Sequence, residues 1–374
     1  MRNTVLTEEC RENRKSSFRN SFLFPLLAIM IAVTITATGL EIILRLAGYS
    51  PGNVNPLKAF HNVDPLLGIR GKKNYASHFR RPEFDAFIVH NERGFRKQEF
   101  LAGKSDTIPS IHALGDSFTW GWGVSQGEVF TDRLNKALKD YRVENYGINS
   151  AGTVIEYVLF ASEIKPAVKP GDVVLLMLFN NDFTDNVTEN RVHAKLSDGN
   201  VIPVNAVKNF KSPVWDYLEN NFYLYNLIAY KIDTYQLVRK RRKREIDDAN
   251  AKTVDPSGAQ YRIMQHYLKL FRDDCSASGV RFMVAYIPAQ SELGESDRHK
   301  PNKRAGEQAY RTAFNSITSS LGVETIDLLP QLLDYKKRSN KMITFPHDEH
   351  WSPDGHQAVA EAIALYMKET RQSR

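Results

Sequence analysis

Hydrophobic positions first concentrate near the N-terminus, where no charged residue occurs from Ser21 to Leu40. About twenty apolar residues are enough for a helix to cross the ~30 Å hydrocarbon layer of a membrane. The run continues into an amphipathic exit, Glu41 to Leu46, and no small-residue cleavage site of the A-x-A kind follows it. This pattern predicts an uncleaved transmembrane anchor over residues 21–44, with a cleaved signal peptide as the alternative.

Positive charge is distributed unequally on the two sides of this run. Beyond it, Arg45 is followed by no other basic residue until Lys58. The preceding tail, residues 1–20, contains Arg2, Arg11, Arg14, Lys15 and Arg19. Because Lys and Arg stay on the cytoplasmic side of a membrane, the tail is predicted to be cytoplasmic. Everything after about residue 45 is then predicted to be extracytoplasmic, and periplasmic if the cell has two membranes.

Residues 45–105 contain several prolines and few helical periods, which predicts an extended, loop-rich connecting region. Strand-like and helix-like segments then alternate over residues 106–374. The predicted strands cover 111–114, 143–146, 173–179, 280–287 and 323–328. The predicted helices cover 129–141, 156–168, 261–274, 305–319 and 356–371. This alternation predicts an α/β domain in which a parallel sheet lies between helices on both faces.

An insertion is predicted over about residues 190–255, where the alternation is interrupted. Its first part, 195–211, is rich in turn-forming Gly, Asn and Pro, and its second part, 215–244, has helical character. The second part ends in the basic run 239–244. Such a run is either a solvated helix face or a contact with anionic lipid head groups or an acidic polymer.

The composition of the chain mainly excludes some classes of protein and of partner. The chain of 374 residues is 42% hydrophobic and 25% charged, as is ordinary for a globular protein. Its net charge of +7 is partly due to local clusters, and no nucleic-acid-binding motif accompanies it, so no nucleic-acid partner is predicted. Cys10 and Cys275 fall on opposite sides of the apolar run, which argues against a disulfide between them.

Candidate chemistry begins at the end of the first predicted strand, in the segment Gly115-Asp116-Ser117-Phe118-Thr119. Ligands bind beyond the carboxyl ends of the strands in open parallel sheets. Ser117 could therefore project its hydroxyl into such a site and act as a nucleophile if a base lies beside it. Taken alone, the segment is equally consistent with a turn or an N-cap serine.

A candidate base lies near the C-terminus, where Asp348 and His350 stand two residues apart. In an extended segment such residues face the same way, so Asp348 could hold one nitrogen of the His350 ring while the other faces Ser117. A metal site is the rival interpretation, because His347, Asp348, His350, Asp354 and His356 are close in sequence. The segment lacks a helical His-x-x-x-His spacing, so no metal is predicted.

Asn181 follows the third predicted strand and is the candidate oxyanion donor. A side-chain amide can donate a hydrogen bond to the oxyanion of acyl transfer. By itself, Asn-Asp after a strand also indicates a turn. The coincidence of serine, amide and Asp-x-His at related ends of one sheet favours the catalytic interpretation.

These segments resemble the SGNH hydrolases of the GDSL type, over roughly residues 60–370. Ser117 matches the first family block, Asn181-Asp182 the third, and Asp348 with His350 the last, in an Asp-x-His form. In the second block, 145–153, Ser150 occupies the position usually held by the glycine whose backbone N–H joins the oxyanion hole, and Gly147 and Gly152 are near alternatives. The resemblance implies a three-layer flavodoxin-like fold and ester chemistry without a cofactor.

The leading hypothesis is a membrane-anchored serine esterase acting on ester bonds, with acylated envelope or exported polysaccharide as the candidate substrate. An O-acyltransferase using the same site, a lipase or thioesterase directed at lipids, and a non-catalytic scaffold protein of the same fold are the alternatives. Asp116, Trp120 and Trp351 are candidate substrate contacts. Trp120, Trp122 and Trp351 flank the two catalytic loops, where their rings could stack on a sugar or simply pack.

Overall fold

A computed structural model describes residues 2–49, 59–101, 103–189, 191–205, 214, 217–218, 221–229, 231–232, 235, 254–295, 301–346 and 348–372. Side chains are described from residue 23 onward, except at 301–305. The predicted basic run 239–244 and His347 lie outside these residues.

The N-terminal helix α1 (Arg2–Leu46) contains the predicted anchor. Its apolar part, Leu23–Leu46, is 24 residues long and none of it is buried against the rest of the chain. At 1.5 Å per residue this part is about 36 Å long, enough to cross the hydrocarbon layer of a bilayer.

The connecting region differs from its prediction as an extended, loop-rich segment. It forms two antiparallel ribbons, β1 (His61–Asp64) with β2 (Gly68–Gly71) and β3 (Ala76–Arg81) with β4 (Phe84–Val89). Pro65 and Pro82 lie between the strands, and the short strands mix polar with apolar residues, so the sequence pattern concealed the strands. The apolar residues of this region pack around Trp120 of the α/β domain: Ala59, Phe60, Phe79, Ala86 and Ile88.

The predicted parallel sheet is confirmed. In the described part of the chain it consists of β5 (Ser110–Gly115), β6 (Arg142–Gly147), β7 (Val173–Leu178), β10 (Arg281–Tyr286) and β11 (Glu324–Asp327). The strands lie in the order β6-β5-β7-β10-β11, and all neighbouring pairs are parallel. The order reverses direction between β5 and β7, and such a switch point is where open α/β sheets bind ligands.

Helices cover both faces of this sheet. They are α2 (Ser117–Trp120), α3 (Phe130–Ala137), α4 (Thr153–Leu159), α5 (Asn181–Asp185), α6 (Ala259–Ala277), α7 (Pro301–Leu321), α8 (Leu329–Ser339) and α9 (Pro353–Gln372). A π turn (Phe160–Ile164) and a 3-10 turn (Lys165–Ala167) continue α4.

Strand β7 packs against the helices on both faces of the sheet. All of its residues are buried, and they alternate between two hydrophobic clusters. Val174, Leu176 and Leu178 belong to one cluster, whereas Val173, Leu175 and Met177 belong to the other. Since successive side chains of a strand point to opposite faces, this uninterrupted apolar run forms the core on both sides of the sheet.

Two further ribbons lie outside the sheet. Strands β8 (His193–Ser197) and β9 (Asn200–Val204) pair within the predicted insertion. Strands β12 (Thr344–Phe345) and β13 (Asp348–Trp351) pair near the C-terminus. The limits predicted for the domain and its insertion remain predictions.

Candidate active site

Ser117 lies where strand β5 turns into helix α2, beside the switch point of the sheet. Gly115 is required at this turn, because its φ is +151° and a Cβ atom there would lie 3.0 Å from the carbonyl oxygen of Met177. Asp116 caps the helix by accepting the Phe118 N–H at 2.9 Å. Ser117 is partly exposed between buried neighbours, so its hydroxyl lies at the surface of this edge.

Strand β13 brings His350 and Asp348 to this serine. The Ser117 hydroxyl oxygen lies 2.7 Å from Nε2 of His350. Nδ1 of His350 is hydrogen-bonded to Oδ1 of Asp348, and the His350 backbone N–H donates to the same oxygen at 3.1 Å. Because residues two apart on a strand share a face, the extended backbone aligns the acid and the imidazole. The fold thus joins side chains 233 residues apart into one hydrogen-bonded chain.

Trp122 contacts both Asp348 and His350. Its indole N–H donates to Oδ2 of Asp348 at 2.9 Å. Its ring also stacks on the His350 imidazole, with centroids 5.0 Å apart and planes inclined by 21°. Sequence reasoning grouped Trp122 with two other tryptophans and missed this contact. Gly121 and Gly123 flank Trp122 in the sequence, and these two glycines were the signal that could have predicted a loop with an unusual backbone conformation here.

The loop that carries Trp122 is held from both sides. The buried Arg96 of the connecting region donates to the carbonyl oxygens of Gly121 at 3.4 Å and Val124 at 3.0 Å. Gly123 has a φ of +76°, and a Cβ there would lie 2.6 Å from the Phe345 ring. A larger residue at this position would therefore force the loop away from strand β12.

The contact between Asp348 and His350 shifts the pKa of each side chain. Burial alone would raise the pKa of Asp348, but the His350 charge and the hydrogen bonds from His350 and Trp122 lower it to about 2. Burial lowers the pKa of His350, whereas the charge and hydrogen bond of Asp348 raise it, and the net effect raises the pKa of His350 above its ordinary value. Asp348 is thus ionised at neutral pH, and His350 loses its proton only above its raised pKa.

Asn181 begins helix α5 and points its amide nitrogen at two carboxylates. Nδ2 donates to Oδ2 of Asp116 at 3.2 Å and to Oδ2 of Asp185 at 3.3 Å. Arg191 pairs with the other oxygen of Asp185 at 3.0 Å. An amide nitrogen carries two hydrogens. An oxyanion could therefore receive a hydrogen bond from Asn181 only by competing with one of these carboxylates.

Ser150 follows strand β6 with an unusual backbone. Its φ is +62°, in the left-handed region that favours glycine. Its carbonyl oxygen accepts a hydrogen bond from Arg191 at 3.0 Å. A serine therefore occupies a backbone conformation suited to glycine, at the position where the sequence resemblance predicts the oxyanion residue of the second block.

The candidate substrate contacts Asp116, Trp120 and Trp351 require a correction. Each is only 1% exposed, so their side chains pack inside the domain. Trp120 donates to Nε2 of His90 at 3.0 Å, and Asp116 is engaged by Asn181. Since no substrate can reach them in this conformation, the prediction of substrate contact is not retained.

The sequence analysis also did not predict a cluster of buried carboxyl side chains next to Asn181. Glu156 on α4 and Asp182 on α5 are 2% and 0% exposed. Burial, together with the charges of Asp116 and Asp185, raises the pKa of Glu156 well above its ordinary value. Burial also raises the pKa of Asp182 strongly and that of Asp116 to about 6. Burial and the neighbouring carboxylates therefore favour the neutral forms of Glu156 and Asp182, and Asp116 changes charge in the mildly acidic range.

Within the described residues, no group of three or more His, Cys, Asp or Glu side chains could hold a metal ion. Asp348 and His350 bind one another instead. Nδ1 of His356 accepts the Phe130 N–H at 3.2 Å, at the first residue of α3.

The β6-β5-β7-β10-β11 sheet between helical layers, with Ser117 after its first strand, defines a protein of the SGNH hydrolase fold. Residues 247–374, which include Asp348 and His350, match the family described as the SGNH hydrolase-like domain of the acetyltransferase AlgX.

A curated relative matches part of the chain. This is the probable alginate O-acetylase AlgJ of Pseudomonas aeruginosa, 26% identical over 115 residues. The match covers 31% of this chain and 29% of that protein, so the chain spans less than a third of the relative's length in this match.

Solved structures of similar shape include a lipolytic protein of the G-D-S-L family from Veillonella parvula. It is 12% identical, covers 68% of this chain and 94% of its own, and has a TM-score of 0.38. The acetylxylan esterase Axe2 from Geobacillus stearothermophilus is 12% identical, with coverages of 68% and 92% and a TM-score of 0.37.

Proposed function

We propose that this chain is a membrane-anchored serine enzyme that transfers acyl groups to hydroxyl groups of an exported polysaccharide. The observation that carries the proposal is the hydrogen-bonded chain from Ser117 through His350 to Asp348. A serine hydroxyl becomes an effective nucleophile when a base takes its proton and an acid orients that base. A non-catalytic scaffold would not need all three side chains in this arrangement.

The proposed reaction has two half-steps. In the first, Nε2 of His350 takes the Ser117 proton while the serine oxygen attacks the acyl carbonyl of the donor. The donor's leaving group departs with the proton from His350, and the acyl group remains as an ester on Ser117. In the second, His350 takes the proton of an acceptor hydroxyl, whose oxygen attacks this ester. The proton then returns to Ser117, so the enzyme is regenerated.

Each tetrahedral intermediate carries a negative oxygen that needs donors. We assign this role to the amide of Asn181 and to the backbone N–H groups of Ser117 and Ser150. Oxyanion donors are commonly worth a few kcal/mol in acyl transfer. The hydrogen bonds of Asn181 to Asp116 and Asp185 are long, at 3.2 Å and 3.3 Å, which makes exchange of one of them for an oxyanion inexpensive.

Transfer is favoured over hydrolysis by the two sequence matches, since one is described as a domain of an acetyltransferase and the other as a probable alginate O-acetylase. Each covers about a third of this chain, so the acetyl group and the polysaccharide acceptor are proposals for it. Hydrolysis is the second candidate, because Ser117 and His350 are both partly exposed and water can reach the acyl ester. The two activities share one intermediate and differ in the oxygen that attacks it.

We further propose that α1 inserts into the membrane and that the catalytic domain lies on the extracytoplasmic side. The apolar, unburied part of α1 supports insertion. The basic residues of the tail support this orientation, because Lys and Arg remain on the cytoplasmic side.

The test uses the purified full-length chain in detergent with p-nitrophenyl acetate, with and without oligosaccharides as acceptors. Released nitrophenol, free acetate and acetylated oligosaccharide are measured together. We expect nitrophenol release to need Ser117 and acetylated product to form at the expense of free acetate. Ser117→Ala should abolish both products, and the exposed Ser162→Ala is the matched control. Free acetate unaffected by any acceptor would favour the esterase, and equal rates for Ser117→Ala and the wild type would refute the enzyme.

A further inference from the structure

The insertion contains an apolar surface that the catalytic site does not use. Its members share high exposure, between 42% and 69% of each side chain, and they are Tyr217, Phe222, Ile228, Ile232 and Tyr235. Residues 223–229, 231–232 and 235 are helical. Residues three and four apart share one face of a helix, so Ile228, Ile232 and Tyr235 point in one direction. We call these five residues the interfacial patch.

The beginning of this segment is attached to the last turns of α1. The carboxylate of Glu41 accepts the backbone N–H groups of Tyr223 at 3.1 Å and Leu224 at 2.8 Å. These are N–H groups of the first turn, which has no carbonyl partners within its own helix. Glu41 therefore caps the segment from outside, across 182 residues of sequence.

Arg45 strengthens the same junction. Its guanidinium donates to the carbonyl oxygen of Asn221 at 2.6 Å and lies 4.5 Å from the centre of the Tyr223 ring. It also pairs with Glu41 at 2.7 Å, one helical turn earlier. The end of the apolar helix and the start of the insertion are thus joined by a charged pair, an aromatic ring and several hydrogen bonds.

This junction fixes the depth of the patch. The apolar part of α1 ends at Leu46, so Glu41 and Arg45 lie near the level of the head groups when α1 spans the bilayer. The segment that they hold must start at that level too. Tyrosine rings are enriched there, and helices with one apolar face lie in this plane with that face turned to the acyl chains.

We propose that the interfacial patch is a second membrane contact, and that its partner is the lipid interface on the side where α1 ends. The inference rests on the membrane insertion of α1 proposed above. It goes beyond an anchor, because a helix alone would leave the catalytic domain free to swing. A second contact fixes the orientation of the domain relative to the membrane, and hence the side from which donor and acceptor reach Ser117.

The test places a fluorescent label at single cysteines of the full-length chain in lipid nanodiscs. Cys10→Ser removes one native thiol, and Cys275 is fully buried. Labels go on Ile228→Cys and Ile232→Cys, and on Ile202→Cys of β9 as the matched control, which is 47% exposed. Val33→Cys in α1 reports insertion of the anchor separately. Accessibility is read with nitroxide-labelled lipid and with aqueous iodide.

We expect nitroxide lipid to quench labels at 228 and 232 at least twofold more than the label at 202, and iodide to show the reverse order. Quenching at 228 and 232 equal to that at 202 would overturn the proposal. Shielding of 228 and 232 from both quenchers would also overturn it, since a protein would then cover the patch. A label at 33 that lipid does not quench would refute the anchor itself, independently of acyl transfer. Each labelled variant is checked for ester cleavage, and Tyr235→Cys provides a third position if one label disturbs folding.

Discussion

Trp122→Phe isolates one hydrogen bond of the proposed active site. The indole N–H that donates to Asp348 at 2.9 Å is lost, while phenylalanine keeps an aromatic ring against His350. We expect kcat/KM for ester cleavage to fall, because Asp348 loses the donor that fixes its second oxygen. The same loss leaves the carboxylate more basic, so the pKa of Asp348 should rise from about 2 toward its ordinary value.

The size of this effect follows from the contacts of Asp348. A hydrogen bond to a charged group contributes about 1.5–3 kcal/mol. The Asp348 side chain is 26% exposed, so water can replace part of the lost bond and the lower value applies. Since about 1.4 kcal/mol corresponds to a factor of ten in rate, kcat/KM should fall about tenfold.

The assay is the pH profile of kcat/KM with p-nitrophenyl acetate. A more basic Asp348 holds the protonated His350 more strongly, so the acidic limb of the profile should move to higher pH. Trp351→Phe is the matched control, because in the described part of the chain its buried indole nitrogen has no hydrogen-bond partner. It should lower stability through lost packing without moving the acidic limb.

Two results would refute this reasoning. A Trp122→Phe enzyme within twofold of the wild type and with an unmoved acidic limb would mean that the indole N–H does not act on Asp348. A limb that moves to lower pH would mean that the substitution merely loosens the Asp348–His350 pair.

Three further predictions concern the same site. In the wild type, kcat/KM should fall as the pH drops through the raised pKa of His350, because protonation removes the base. The midpoint should lie above the ordinary pKa of a histidine side chain, and a midpoint below that ordinary pKa would contradict the assigned pairing. Asn181→Ala should lower kcat about 10²–10³-fold with a small change in KM, as expected for loss of an oxyanion donor; a loss below tenfold would argue against that role. Ser150→Gly should keep activity and raise the free energy of unfolding by about 0.5–1 kcal/mol, measured by chemical denaturation, because the φ of +62° strains a serine. Ser150→Val should instead lower the free energy of unfolding, because a β-branched side chain is strained more at this φ.

Much of the fold could be predicted because burial leaves a direct mark on sequence. Strand β7 is apolar at every position, and both of its faces are buried. The long helix α6 shows a clear amphipathic period, with residues such as Tyr261, Leu268 and Cys275 on its buried face. Such a pattern depends only on which faces of a single strand or helix are buried and which are exposed, so it can be recognised in the local sequence.

The pairing of Asp348 with His350 was predictable for a related reason, since the period of a strand puts both on one face. The contact of Trp122 with Asp348 was not. It joins residues 226 apart through a loop whose shape depends on Arg96 of the connecting region. No local periodicity encodes such a contact.

The ribbons of the connecting region escaped prediction because their strands are short and only partly apolar. In β3, one residue, Phe79, is buried, and its partners lie on other elements. Helix α8 was missed as well, because Leu332 is its only buried residue and its remaining positions are mostly polar.

The measurement that tests the central claim most directly is mass spectrometry of the intact full-length chain after brief reaction with p-nitrophenyl acetate and acid quench. We predict one added acetyl group, located on the peptide that contains Ser117, and its loss when an acceptor oligosaccharide is added before the quench. A fluorophosphonate probe should label the same serine, and Ser117→Ala should carry neither mark. An acetyl group or probe on another residue in the wild type, with Ser117 unmodified, would contradict the account.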